Sequence, residues 1–136
     1  MDKIEKVVIH HSASPRSTTF EEIRQWHTRS PPEGRGWVDI AYHVIIDHTG
    51  LIHQGRAIPR NGAHARGANS DSIGICITGD NSKPEHKWSL LQQDALRQVL
   101  DAIELLWPGL PVVGHRDVME PGHTICPGVE VATLLE

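Results

Sequence analysis

The chain has 136 residues, which is long enough for a domain with a real hydrophobic core, and its formal net charge is -4. The negative charge argues against a general nucleic-acid binder and against a cationic protein that adheres to cell walls by charge alone. No apolar run approaches the roughly 18 residues of a membrane span, so we expect no membrane insertion.

The N-terminus and the cysteine content indicate where the protein is made. The first six residues are charged and lack an apolar stretch, so no signal peptide is expected and synthesis should be cytoplasmic. Cys76 and Cys126 are the two cysteines. They could pair, but two cysteines in a chain without a signal peptide are more often reduced. The ten histidines are many for this length, so most of them must be non-ligands.

The N-terminal part of the chain predicts a buried strand followed by a helix. Val7-Val8-Ile9 is a β-branched run that is apolar on both faces, and His10 and His11 follow at its carboxyl end. Alternation sends these two histidines to opposite faces, so only one of them can bind a given metal. A capping box then follows, formed by Thr19 with Glu22 or by Thr18 with Glu21, and the helix should end near Thr28. Its predicted apolar stripe consists of Phe20, Ile23 and Trp26 or His27.

The middle of the chain predicts a hairpin between two loops. Residues 40–46 have the composition of a strand, residues 47–50 that of a tight turn, and residues 51–55 should return as a shorter strand. The flanking stretches, residues 30–36 and 61–69, are rich in small, polar, glycine or proline residues. They predict surface loops that can approach a ligand closely.

The C-terminal half predicts two more strands around the longest helix. Residues 72–79 alternate isoleucine with small residues and read as a strand. A capping signal at Ser89 begins a helix with apolar residues at helical spacing as far as about Leu106. Residues 111–115 form the last strand, and residues 129–135 can form a helical turn or two. No repeat or linker divides the chain, which predicts one domain over residues 1–136.

Three side chains have the composition of a catalytic zinc site. His10 and His115 each end a predicted strand, and Cys126 lies in a Pro-Gly loop just beyond His115. Two histidines and one cysteine with a fourth position open are one of the sets that suit catalytic Zn²⁺. Cys76, between isoleucines, is by contrast the core-like cysteine. Taken alone, these residues also fit a surface histidine, a disulfide and a buried histidine, and both interpretations stay open at this point.

The order of several short sequence blocks is characteristic of one enzyme superfamily. The blocks are VIHHSA from residue 8, AYHVII from 41, GAHA from 62 with SIGI from 72, GHRD from 114 and TICPG from 124. Together they resemble the type 2 N-acetylmuramoyl-L-alanine amidases, a superfamily shared by peptidoglycan recognition proteins and short phage endolysins. The resemblance covers nearly the whole chain. It implies an α/β fold with a mixed central sheet flanked by helices, which agrees with the approximately five strands predicted above and places the zinc site at strand ends.

The resemblance implies a role for several residues. His10, His115 and Cys126 match the zinc ligands, and Tyr42 matches the catalytic tyrosine of the family. Physically, a phenol at the zinc edge can orient the attacking water and donate to the developing oxyanion. Thr124 stands where phage relatives carry lysine and many amidases among the recognition proteins carry threonine. Its hydroxyl can donate a hydrogen bond but brings no positive charge, so its contribution should be smaller than that of an ammonium group.

The substrate of such an enzyme joins a sugar lactyl group to a peptide, so we expect an open groove. His64 is predicted to line this groove and to contact the substrate, with Asn69 fixing the loop that carries it. The loops at residues 30–36 and 61–69 are the predicted walls.

Other polar residues near these positions are predicted to play supporting roles. His43 should face away from Tyr42 and be structural. Arg116 and Asp117 could orient His115 or form an ordinary ion pair. His123 is predicted to be a non-ligand, although it is close to Cys126 in sequence.

The sequence therefore predicts zinc-dependent hydrolysis of the bond between N-acetylmuramic acid and L-alanine in peptidoglycan. The bacteriolytic setting would be a phage or prophage endolysin, monomeric, made in the cytoplasm and released to the cell wall through a holin. A non-catalytic peptidoglycan-binding module is the alternative, but loss of the cysteine ligand usually marks such binders and Cys126 is present. A phage regulatory protein of the same fold, which binds a polymerase, is neither supported nor excluded by the sequence.

Overall fold

Five strands form one mixed β-sheet in the computed structural model, which describes residues 1 and 3–135. The strand order is β3-β2-β4-β1-β5. The central strand β4 pairs in parallel with β1 and β2, β1 also pairs in parallel with β5, and the hairpin partners β2 and β3 are antiparallel. This confirms the predicted mixed sheet. The strands are β1 (Lys6–His11), β2 (Val44–Ile46), β3 (Ile52–Gln54), β4 (Ser72–Ile77) and β5 (Val112–Gly114).

In the described part of the chain, three α-helices accompany the sheet: α1 (Phe20–Thr28), α2 (Leu90–Leu106) and α3 (Val131–Leu134). Short 3₁₀ turns occur at Pro84–His86 and His115–Val118. Both predicted capping boxes are present, since the hydroxyls of Thr19 and Ser89 accept the backbone N–H three residues later and the side chain there accepts in return. These bonds satisfy N–H groups that the first helical turn leaves free. Among the described helices, none is long and apolar enough to cross a membrane.

Apolar side chains cover both faces of the sheet. The isoleucines of β4 share one face, as predicted, and pack against α2 through Leu96, Val99 and Ile103. The other face carries Cys76 and packs against Ile23 of α1. Every residue of β4 is buried, which is the pattern of a central strand covered on both sides.

The strand predicted over residues 40–46 is shorter than expected and begins at Val44. At Ala41 the backbone bonds elsewhere: the N–H donates to His27 Nδ1 at 3.0 Å, and the carbonyl accepts from Ala63 N–H at 3.0 Å. Because these groups are used by a helix side chain and a loop, Ala41 does not extend the ladder of β2. Tyr42, whose carbonyl accepts from Arg56 N–H at 2.9 Å, lies in the irregular segment just before β2.

The apolar faces of two helices extend less far than the sequence pattern predicts. Trp26 is 43% exposed and Leu106 is 69% exposed, although both continue the predicted apolar stripes. Ile23 is the buried residue of α1. Helical periodicity identifies which side of a helix is apolar, but it does not fix how much of that side another element covers.

The parallel strands determine where the histidines meet. Ile9 of β1 lies opposite Gly114 of β5 in the sheet register. The next residues, His10 and His115, therefore emerge side by side at the carboxyl ends of these strands. This is the edge at which open α/β sheets commonly bind ligands.

Candidate metal centre

His10, His115 and Cys126 converge on one point at the carboxyl edge of the sheet. Each offers one ligand atom, and these atoms all lie within 4.8 Å of one another. The Sγ of Cys126 is 3.7 Å from Nδ1 of His10, and the rings of His10 and His115 are 4.5 Å apart between centroids. The three side chains predicted as ligands are thus close enough to hold one metal ion.

The spacing of these atoms fits tetrahedral zinc. Zn–S bonds of about 2.3 Å and Zn–N bonds of about 2.0–2.1 Å at a tetrahedral angle separate nitrogen and sulfur by about 3.6 Å. The distance of 3.7 Å between His10 Nδ1 and Cys126 Sγ agrees with this value. Two imidazoles and a thiol are donors that zinc prefers, and three protein ligands leave a fourth position open.

The protonation states of the ligands also suit a cation. Burial is the main cause that lowers the pKa of His10, followed by the neighbouring His64 and His115. Burial likewise lowers the pKa of His115, so both imidazoles are neutral and have a free lone pair at pH 7. Burial raises the pKa of the Cys126 thiol to about 12. A bound cation would favour the thiolate, so metal binding would release this proton.

Backbone hydrogen bonds hold Cys126 in place. Its N–H donates to the Thr124 hydroxyl at 3.1 Å, and its carbonyl accepts from Arg116 N–H at 2.7 Å. The next carbonyl, that of Pro127, accepts from the side-chain amide of Asn81 at 2.8 Å. The loop is therefore tied both to the turn after β5 and to the loop after β4, which turns the thiol toward His10.

Tyr42 and Thr124 lie next to the three ligand residues. The ring of Tyr42 is 5.1 Å from that of His10 between centroids. Burial raises the pKa of the Tyr42 phenol, with Cys76 and Cys126 as further causes, so the phenol remains protonated at neutral pH and can donate. Because the Thr124 oxygen accepts from Cys126 N–H, its own hydroxyl proton remains available for donation.

An open cavity of about 300 Å³ gives access to this cluster. Six of the predicted site residues line it: His10, Tyr42, His64, His115, Thr124 and Cys126. The other lining residues are His11, Ala13, Asp80, Ser82 and Ile125.

The cavity walls differ from the predicted ones. Within the described part of the chain, residues 30–36 contribute nothing to the lining, whereas Asp80 and Ser82 form part of one wall. Neither residue is among the predicted site residues. A signal was available, because they directly follow the parallel strand β4 at the same sheet edge as His10.

The family model described as N-acetylmuramoyl-L-alanine amidase matches residues 1–129. The chain belongs to the type 2 N-acetylmuramoyl-L-alanine amidase superfamily. This confirms the resemblance carried by the sequence blocks.

Relatives of this amidase-superfamily chain include phage and animal proteins. The endolysin of Klebsiella phage KP32 is 33% identical over 118 residues, which are 83% of this chain and 75% of that protein. The Ph2119 endolysin from Thermus scotoductus MAT2119 bacteriophage Ph2119 superposes with a TM-score of 0.78 at 26% identity, covering 98% of this chain and 82% of the other. A chain from the complex of tracheal cytotoxin with the ectodomains of peptidoglycan recognition proteins LCa and LCx superposes with a TM-score of 0.79 at 27% identity. The superposition covers 97% of this chain and 80% of the other.

His64 and Asn69, which are predicted to bind substrate, belong to the loop that lies behind His10. The side-chain oxygen of Asn69 accepts from the N–H groups of His64 and Ala65, each at 2.8 Å. Asn69 thus fixes the loop, but it is not among the described residues that line the cavity. His64 lines the cavity, but its Nδ1 is 2.9 Å from Nε2 of His10. Sequence alone gave no signal for this contact.

The remaining polar residues have structural partners. His43 has its Nε2 2.7 Å from the carbonyl of Arg60 and accepts from Gly74 N–H at Nδ1, which agrees with its predicted structural role. Arg116 pairs with Glu130 at 2.7 Å. Asp117 accepts from Gly114 N–H at 2.8 Å. Among the described contacts, Arg116 and Asp117 make none with the His115 ring, and Arg116 forms the ordinary ion pair that was the other prediction, with Glu130 as its partner.

The alternative interpretation of the ligand set includes a disulfide between the two cysteines. Cys76 and Cys126 are both free and buried, so the described cysteines form no disulfide. Cys76 lies in the core on the face opposite the isoleucines of β4, as predicted. His11, predicted to be a non-ligand, is buried and its Nδ1 accepts from Asn81 N–H at 3.2 Å.

Acidification should destabilise the metal-free protein. Burial lowers the pKa of His64 to about 3, and burial followed by Arg35 and Arg56 lowers that of His27 to about 4. Below pH 6.5 the unfolded chain therefore binds protons that the folded chain does not, so stability falls as the pH falls. For the buried His64 the loss approaches about 1.4 kcal/mol per pH unit, or roughly 2 kcal/mol at pH 5. The contribution of His27 is smaller, because this ring is partly exposed and solvent screens its interactions.

Urea unfolding of the chelated protein between pH 7.5 and 5 measures this loss. The matched variant is His27→Asn, whose side-chain oxygen can still accept from Ala41 N–H but takes up no proton in either state. It should show a shallower pH dependence than the wild type. A free energy of unfolding that is constant from pH 7.5 to 5 would contradict the expected neutral, buried histidines.

Proposed function

We propose that the chain is a zinc-dependent amidase that hydrolyses the bond between N-acetylmuramic acid and L-alanine in peptidoglycan. The observation that carries the proposal is the convergence of His10, His115 and Cys126 within 4.8 Å beside an open cavity. Membership of the amidase superfamily supports the reaction class. The endolysins among the relatives, and the recognition proteins bound to tracheal cytotoxin, support peptidoglycan as the partner.

Each protein group has a chemical task in this proposal. Zinc held by the three ligands would polarise the scissile carbonyl and lower the pKa of water at the open position. Tyr42, whose phenol stays protonated because burial raises its pKa, would orient the attacking water and donate to the developing oxyanion. Thr124 has a free hydroxyl proton for the same oxyanion. Fixed donors at such a position stabilise the transition state without reorganisation.

The cavity walls suit a ligand with both polar and apolar parts. Asp80 and Ser82 offer oxygens on one side, and Ile125, which is largely exposed, offers an apolar surface on another. A muramyl peptide combines a lactyl group, amides and hydroxyls. His64 and Asn69 remain predicted substrate-side residues, with Asn69 acting through the loop that it fixes.

The phage endolysins among the relatives support a lytic setting. We propose a single catalytic domain over residues 1–136 that works as a monomer in phage or prophage lysis. It would be made in the cytoplasm and reach the cell wall through a holin. The competing function is a peptidoglycan-binding module without catalysis. The complete set of zinc donors, including Cys126, favours the enzyme.

Product analysis on purified peptidoglycan tests the proposal. The protein should release new amino groups on L-alanine and no new reducing sugar ends, because only the amide is cleaved. Treatment with a chelator should abolish the release, and added Zn²⁺ should restore it. Cleavage that survives complete removal of zinc would refute the metal mechanism. Zinc-loaded protein that binds peptidoglycan without cleaving it would establish the binding module instead.

A further inference from the structure

A chain of hydrogen bonds leads from His10 into the core through His64 and Ser72. Nε2 of His10 lies 2.9 Å from Nδ1 of His64, and Nε2 of His64 lies 3.3 Å from Oγ of Ser72. The Ser72 hydroxyl in turn donates to the carbonyl oxygen of Ala68 at 2.5 Å. His10, His64 and Ser72 are 2%, 7% and 0% exposed, so water does not compete strongly for these bonds.

The last acceptor fixes the direction of every bond in the chain. A carbonyl oxygen only accepts, so Ser72 uses its single proton on Ala68. Its oxygen can then only accept from His64, which places the His64 proton on Nε2. The neutral imidazole of His64 has one N–H, so its Nδ1 accepts from His10. His10 therefore has its proton on Nε2, and the lone pair of Nδ1 faces Cys126 Sγ, 3.7 Å away.

We propose that His64, supported by Ser72, is a positioning residue that selects the tautomer of His10 able to bind the metal. Histidine ligands usually donate their second N–H to a carboxylate, a carbonyl or water, which fixes the ring and its tautomer. Here the acceptor is a second neutral imidazole, and a buried serine fixes the proton of that imidazole. The inference rests on the proposed zinc site, but the tautomer of His10 is a property of the metal-free protein as well.

The surroundings leave the His64 ring little freedom to turn away. A Cβ at Gly74 would lie 2.5 Å from Cδ2 of His64, and one at Gly62 would lie 2.4 Å from the same atom. Glycine at both positions is therefore what admits the ring. The side-chain oxygen of Asn69 also accepts from the backbone N–H of His64, which holds this residue in place. Both ring nitrogens of His64 have partners within the protein, which holds its Nδ1 toward His10 while the ring still lines the cavity.

Nuclear magnetic resonance of the metal-free protein at pH 8 reads the tautomer directly. Ring ¹⁵N shifts correlated with ring protons distinguish an imidazole protonated at Nε2 from one protonated at Nδ1. We expect His10 of the wild type to be protonated at Nε2. In Ser72→Ala nothing holds the His64 proton on Nε2, so a population of His10 protonated at Nδ1 should appear.

Zinc affinity measured by competition with a chromogenic chelator gives the second readout. His64→Phe keeps a ring but removes the acceptor, and we expect zinc to bind about 10- to 100-fold more weakly, the usual cost of losing such a partner. His64→Asn places a side-chain oxygen near the former Nδ1, so it should recover much of this loss. Ser72→Ala should show a smaller loss than His64→Phe, and it keeps the test valid if the phenylalanine variant does not fold.

Val99→Ala is the control, since Val99 lies in the α2 side of the core and outside this chain of bonds. It should lower the melting temperature while leaving the zinc Kd and the His10 tautomer unchanged. Wild-type His10 protonated at Nδ1, or wild-type zinc Kd in both Ser72→Ala and His64→Phe, would overturn the inference. A wild type that binds no zinc but has His10 protonated at Nε2 would instead refute the proposed function and support the assigned tautomer.

Discussion

Replacing Cys126 with alanine should abolish stoichiometric zinc binding and remove amidase activity. The variant leaves His10 and His115 as the ligands, and two neutral imidazoles supply neither the third donor nor the negative charge of the thiolate. Metal polarisation contributes several kcal/mol to the transition state, so activity should fall by about 10³-fold or more. Zinc per protein after dialysis and release of L-alanine amino groups measure the two effects.

Cys76→Ala is the matched control, because Cys76 is the other buried cysteine and lies on the neighbouring strand opposite His10 in the sheet register. It removes a thiol of the core without removing a donor at the metal position, so it should keep one zinc per chain. A Cys126→Ala protein that is folded, fully zinc-loaded and active would refute the ligand assignment. Loss of zinc in both variants would show that the zinc content reports core packing instead.

The features that the sequence predicted correctly depend on local signals. The capping boxes at Thr19 and Ser89 mark helix starts because they use residues three positions apart. His10 and His115 come together because each follows a short apolar strand, and parallel strands present their carboxyl ends at one sheet edge. The Pro-Gly setting of Cys126 is unsuited to a core role, and the structure places this side chain beside the two histidines.

The features that the sequence did not predict depend on contacts between distant segments. The bond between His10 and His64 requires the loop at residues 61–69 to lie over β4, where Gly74 has no side chain to exclude the ring. The late start of strand β2, at Val44, goes with His27 taking the N–H of Ala41. Neither partner is visible from periodicity or composition, because both pairings are set by the packed fold and not by local propensity.

Replacing Tyr42 with phenylalanine should lower kcat by about 10²- to 10³-fold, the usual cost of removing one oxyanion donor. The substitution removes only the hydroxyl. The ring contacts with His10 at 5.1 Å and His27 at 5.7 Å remain, so zinc content and melting temperature should stay close to those of the wild type. Kinetics on a soluble muramyl peptide, measured beside zinc content, separate a lost donor from a lost metal.

The pH dependence of the same variant distinguishes a donor from a base. Burial raises the pKa of the Tyr42 phenol, so the phenol stays protonated from pH 6 to pH 8 and keeps a proton to donate in the resting enzyme. Tyr42→Phe should therefore lower kcat by the same factor at both pH values. A variant with wild-type kcat would show that Tyr42 only packs against His10. A factor that grows steeply with pH would indicate that the phenolate is the active form, which its buried position strongly disfavours.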